Sequence, residues 1–230
     1  MDGPEYASLV ETLLAFAAAL LALRLAGDLA ARWRERRASH LAAWSAALVA
    51  YALASGALAW GAAAGWDDRA FRVYYLFGGL LTAPLLGVGS LLLAGWRAAA
   101  PLGFVYAGLA VGVALAAPIV EPVSGSTIPE AQAHLEVVPA RLVAIVGNTL
   151  GTAAVVAVAL ATMRRRPAGN ALILAGVAVA AAGSAAAGLG AAETAAFIAA
   201  AVVLLYAGFL GASGFRLSWP RPIRGRRSAA

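Results

Sequence analysis

The sequence predicts an all-α, polytopic membrane protein with seven transmembrane helices, its N-terminus outside and its C-terminus cytoplasmic. Three observations predict this. First, 63% of the residues are hydrophobic and 12% are charged. A soluble domain would be nearer half apolar and a quarter charged. Second, seven apolar runs reach the roughly 20 residues that a helix needs to cross a hydrocarbon core. Third, the 17 basic residues are all arginine, and 14 of them fall at residues 24–37, at Arg97, at 164–166 and at 216–227. The stretches between runs are alternately basic and acidic, as the positive-inside bias requires.

The expected spans are residues 6–25, 41–63, 71–94, 102–119, 141–162, 169–188 and 193–212. The opening segment, with Asp2 and Glu5, is acidic and lacks the positive start of a cleaved signal peptide, so the first run is expected to be a retained span. The first connection, residues 24–40, is basic. The second holds Asp67, Asp68 and Arg69, and the third is short and holds Arg97. The fourth, residues 120–140, carries Glu121, Glu130 and Glu136, and a helix start at Ser126-Thr127-Ile128-Pro129-Glu130. It is read as a packed connector, with a cap over an outward pocket as the functional alternative. Arg164, Arg165 and Arg166 form the fifth connection, a tight turn with Glu193 the sixth, and residues 213–230 a basic cytoplasmic tail. Nine of the eleven acids lie on the outer side of this topology.

The inventory excludes several functions. No cysteine means no disulfide, thiolate metal site, iron–sulfur cluster or Cys-linked haem. No lysine means no retinal Schiff base. His40 and His134 fall on opposite sides of the membrane and cannot share one metal. No catalytic constellation, metal site or cofactor motif is present. The pI near 10.5 reflects arginines that flank apolar spans, which points to anionic headgroups at the inner face rather than nucleic acid. The arginine- and alanine-rich, lysine-free composition looks like that of a high-GC bacterial genome, so the expected location of a multi-pass protein is the bacterial plasma membrane.

Polar groups at membrane depth are costly and face protein or water. Asp68, Arg72, Tyr75, Thr82 and Ser90 approximate one helical face, as do Arg141, Asn148 and Thr152. Arg72 and Arg141 break the positive-inside bias amid outer acids. A candidate outer ligand site therefore comprises Glu11, Arg72, Glu136, Arg141 and Glu193, with Tyr75, Asn148 and Thr152 deeper. The alternative is a set of ion pairs that tie helix ends together. Both predict that spans one, three and five touch. Pro84 removes a backbone bond, frees the carbonyl of Leu80 and predicts a kink. Small residues four apart, at Gly61/Gly65, Gly79/Ala83/Gly87, Gly108/Gly112 and Gly147/Gly151, predict close internal packing.

The stretch from Phe71 to Gly87, with Leu41-Ala42-Ala43-Trp44 before it, resembles the third span of uncharacterised seven-span membrane proteins of actinobacteria and relatives. That group has no established activity to transfer. Tyr74, Tyr75 and Pro84 carry a more distant likeness to the seven-span N-terminal sensor region of bacterial histidine kinases. No kinase domain follows here, so that resemblance implies a cytoplasmic or membrane protein partner at the basic inner face. The resulting expectation is a non-enzymatic, receptor-like or accessory membrane protein that binds a small molecule or lipid from the outer side. The alternatives are a small solute transporter with a three-plus-one-plus-three layout like that of SWEET proteins, and an intramembrane lipid-modifying enzyme. Spans one, two, five and six lack the prolines that SWEET proteins place in paired spans.

Overall fold

A computed structural model describes residues 3–125, 127–188 and 194–211. Among these the protein is all-helical, with no β-strand. The helices are α1 (Gly3–Arg36), α2 (Ser39–Ala64), α3 (Asp68–Leu93), α4 (Ala99–Ala116), α5 (Leu142–Ala161), α6 (Pro167–Gly188) and α7 (Thr194–Gly211). Five helical stretches are long and apolar enough to cross a membrane: Thr12–Arg36, Ser39–Ala64, Asp68–Leu93, Ala99–Ala116 and Val137–Ala161.

The helices follow the apolar runs to within a few residues, except α1. The first run was expected to end at residue 25, but the helix continues through the basic segment to Arg36. Its alanine, leucine and arginine are strong helix formers, and the one glycine there, Gly27, does not end it. Thirty-four residues make a rod of roughly 50 Å, longer than a hydrocarbon core of about 30 Å. The helix stops at Arg37, whose φ is 52°. Its N–H bonds Trp33 O at 2.8 Å, the single closing bond of a left-handed helix end, where glycine is the usual residue. Gly65 ends α2 at a positive φ of 90° with an extended ψ of 154°, its N–H on Gly61 O.

α1 packs along α2 and α7, α2 along α3, α3 along α5, and α6 along α7. α4 leans on α3 and turns Phe104, Val105 and Leu115 outward. Two apolar layers fill the interior. One, around Phe71, Tyr75, Leu80, Val113 and Leu135, joins α2, α3, α4 and the 117–136 connection. The other, around Leu25, Trp44, Leu86, Val155 and Leu205, joins α1, α2, α3, α5 and α7.

Burying apolar surface gives little drive where the solvent is lipid, so helix contact rests on shape and polar links. Glycine supplies the shape. A Cβ on Gly87 would meet Gly151 Cα at 2.6 Å, and one on Gly151 would meet Ala83 C at 2.6 Å, so α3 and α5 touch backbone to backbone. Gly147 makes room for the Tyr106 ring and Gly61 for the Trp66 ring. Gly108 and Gly112 depart from the expected internal packing: nothing lies within 4 Å of a Cβ at either. α4 touches its neighbours along another face, through Gly103, Ala110, Val113 and Ala114.

The long connection is tied down at both ends. Ile119 bridges Leu135, Val120 N–H bonds His134 O at 2.9 Å, and Trp66 N–H bonds Gly125 O at 2.7 Å. Val123 N–H donates to Asp68 Oδ1 at 2.9 Å. The helix expected from Ser126–Glu130 onward is a single turn, Ala131–His134; Ser126 lies outside the described residues.

Candidate functional site

The candidate residues gather around α3. This helix is α-helical from Asp68 to Tyr74, widens to π geometry over Tyr75–Thr82, and returns to α from Ala83. Pro84 contributes to the irregularity, because it has no N–H to give the carbonyl of Leu80. Neighbouring helices satisfy the carbonyls released here. Tyr106 Oη of α4 donates to Leu80 O at 2.9 Å and also stands 3.3 Å from Val143 O of the α5 side. Asn148 Nδ2 of α5 donates to Gly79 O at 2.8 Å. Thr82 Oγ1 donates to Phe77 O at 2.7 Å, within the helix itself. A wide helical turn of this kind is rare and recurs at functional sites. Here two neighbouring helices, α4 and α5, are pinned to it.

Arg72 lies just before this stretch and Tyr75 opens it. Arg72 donates to Ala114 O at 2.6 Å, placing its charge at the C-terminal end of α4, where a cation suits the helix dipole. Tyr75 Oη donates to Ala140 O at 3.1 Å. Both border one small cavity, walled by Phe71, Val113, Ala117 and Leu135, of about 10 Å³. That is room for about one water. Arg141 is partly buried beside Ala140, and Glu136 is exposed. Among the described residues neither Glu136 nor any other acid forms an ion pair with Arg72 or Arg141. Asn148 and Thr152 are partly buried deeper along α5. The side chain of Glu11 and the whole of Glu193 lie outside the described residues.

The candidate cluster is thus divided. α3 and α5 do touch, but α1 packs on α2 and α7 rather than on α3 or α5. Asp68 and Arg72 share a face without pairing, since each is taken by backbone, of Val123 and Ala114 respectively. Ser90 Oγ bonds Leu86 O in its own helix. His134 bonds Glu121 O through Nδ1 at 2.8 Å and stacks edge-on to Phe71. His40 stacks edge-on to Trp44.

The sequence reading did not single out Tyr106 or Trp66. The signal for Tyr106 was its place as the one hydroxyl in an aliphatic span beside a proline-broken helix. Trp66 is 4% exposed, and its Nε1 has no hydrogen-bond partner among the described residues. Asn148 Oδ1 is the other buried side-chain atom without a partner among the described residues. No group of three or more metal-binding side chains occurs among them. Compared with known proteins, the chain matches no family model, no curated protein and no solved structure.

Proposed function

We propose that the chain is a non-enzymatic integral membrane protein of the bacterial plasma membrane, receptor-like or accessory in kind, crossing seven times with its N-terminus outside. Five long apolar helices support membrane residence. α6 and α7, of 22 and 18 residues, have the length for two further crossings. The alternation of arginine-rich and acidic connections supports the orientation.

The observation that carries the receptor-like reading is the π stretch of α3 that Tyr75 opens, next to Arg72. Ligand entry from outside would lift Arg72 from Ala114 O and enlarge the space of about 10 Å³ at that point. α3 joins this space to the outer connection through Asp68 and to α5 through Gly79. A shift at its wide turn therefore reaches both. The contact between the backbones at Gly87 and Gly151 leaves no passage between α3 and α5 there, which disfavours a transporter.

The test uses the absence of cysteine. Ala117→Cys places a thiol at the cavity wall and Ser124→Cys one on the exposed connection. A membrane-impermeant maleimide added outside should label Ser124→Cys quickly and Ala117→Cys slowly. Labelling of Ala117→Cys should speed up in Arg72→Ala. If Ala117→Cys stays unlabelled in both backgrounds, the cavity does not open outward and the reading is lost.

A further inference from the structure

A second opening lies on the other half of the bundle. It is a groove of about 430 Å³ between α1, α2 and α3, within the size range of small-molecule sites. Ala42, Ala46 and Val49 of α2, Phe77 and Leu85 of α3, and Ala30 of α1 line it. The one hydroxyl on its wall, Ser45, is already spent on Ala26 O at 2.8 Å. That bond also sets Ala26 level with Ser45, so α1 runs on past the first turn of α2. Trp33 closes the groove at that end.

The charge at this end is positive. The Arg37 guanidinium sits 5.7 Å from the centroid of the Trp33 ring. No acceptor among the described residues bonds that guanidinium. At about 100° per residue, Arg34 shares the side of α1 that carries Ala30 and Trp33, and Arg37 follows just past the helix end. Asp28 and Glu35, two residues from Ala30 and Trp33, point to the opposite side. Arg37 also occupies a left-handed conformation, φ 52°, that glycine fills more easily. Arginine there costs stability and, apart from its contact with the Trp33 ring, gains no side-chain hydrogen bond or ion pair among the described residues.

We propose that this groove holds one acyl chain of an anionic phospholipid from the inner leaflet, with its phosphate on Arg37 and Arg34. The inner-leaflet assignment rests on the topology proposed above. The match itself rests on an apolar groove bounded by the Trp33 ring, with the Arg37 guanidinium over that ring and Arg34 on the same side of α1, neither guanidinium hydrogen-bonded or ion-paired among the described residues.

The purified full chain in detergent is titrated with phosphatidylglycerol and, separately, phosphatidylcholine, and bound lipid is counted by native mass spectrometry. Detergent removes sidedness, so an inverted topology leaves this result unchanged, and the topology itself is read independently by cysteine labelling. Phosphatidylglycerol should bind more tightly by about fivefold for each arginine. Arg37→Gly should lose the contribution of that arginine while the lipid-free protein melts no lower. Ala46→Phe, which fills the groove, should lose retention of both lipids. Equal binding of the two lipids, unchanged preference in Arg37→Gly, or unchanged retention of both lipids in Ala46→Phe overturns the proposal. So does disulfide formation between two copies of Ala46→Cys in membranes, which would make the occupant a second copy of the chain.

Discussion

Gly151→Ala tests the contact that holds the candidate site in place. The added Cβ would lie 2.6 Å from Ala83 C and 2.7 Å from Pro84 N, and nearer still to Ala83 O. All three are backbone atoms at the junction where α3 returns from π to α geometry, so no side chain can rotate away. The helices must separate by roughly 1 Å to restore ordinary contact, an overpacking cost of about 1–3 kcal/mol. Separation also stretches the bond from Asn148 to Gly79 O, now 2.8 Å, beyond useful range. A polar link between membrane helices contributes about 0.6 kcal/mol. The expected loss is therefore about 1.5–3.5 kcal/mol. The assay is reversible unfolding of the purified protein in mixed micelles by SDS, with Gly112→Ala as the control. A Cβ on Gly112 meets nothing within 4 Å, so that variant should match the parent within about 0.5 kcal/mol. Equal stability of Gly151→Ala and the parent would refute the backbone contact between α3 and α5.

Three further outcomes follow from the same geometry. Tyr106→Phe removes the donor to Leu80 O, leaves a carbonyl unsatisfied at membrane depth, and should cost about 1 kcal/mol in the same unfolding assay. Asp68→Ala frees Val123 N–H and should speed external proteolysis of the 120–130 stretch severalfold without changing the unfolding midpoint by more than about 1 kcal/mol. Arg37→Gly relieves a left-handed arginine and should stabilise the lipid-free protein by about 1 kcal/mol, read as a higher SDS midpoint.

Much of the fold could be read from the chain because membrane helices are set by length and hydropathy. Six of the seven helices begin and end within a few residues of the apolar runs. α1 did not, since hydropathy marks where a span leaves lipid and not where a helix stops. The freed carbonyl of Leu80 follows directly from Pro84, but its partner, Tyr106, is 26 residues along the chain and depends on where α4 packs. The polar face drawn down α3 assumed 3.6 residues per turn. The π stretch Tyr75–Thr82 breaks that register, and Thr82 and Ser90 bond within their own helix instead. The outer charges were expected to find one another. Asp68 and Arg72 instead meet backbone groups at the connection and at the end of α4, where nearby unsatisfied N–H and C=O groups compete for them. The groove at Trp33 and Arg37 was invisible for a related reason: its walls come from three helices, and only their packing makes the opening.

The central claim is that the arginine-rich end of α1 and the α3–α4 turn face the cytoplasm, while the Asp67–Asp68 turn and the 117–136 connection face outward. Single cysteines at Ser39, Asp67, Ala98 and Ser124 in this cysteine-free chain test it most directly, labelled in intact cells with a membrane-impermeant maleimide. Labelling of Asp67→Cys and Ser124→Cys from outside, and of Ser39→Cys and Ala98→Cys only after lysis, is the predicted result. The reverse pattern, or external labelling of all four, would contradict it.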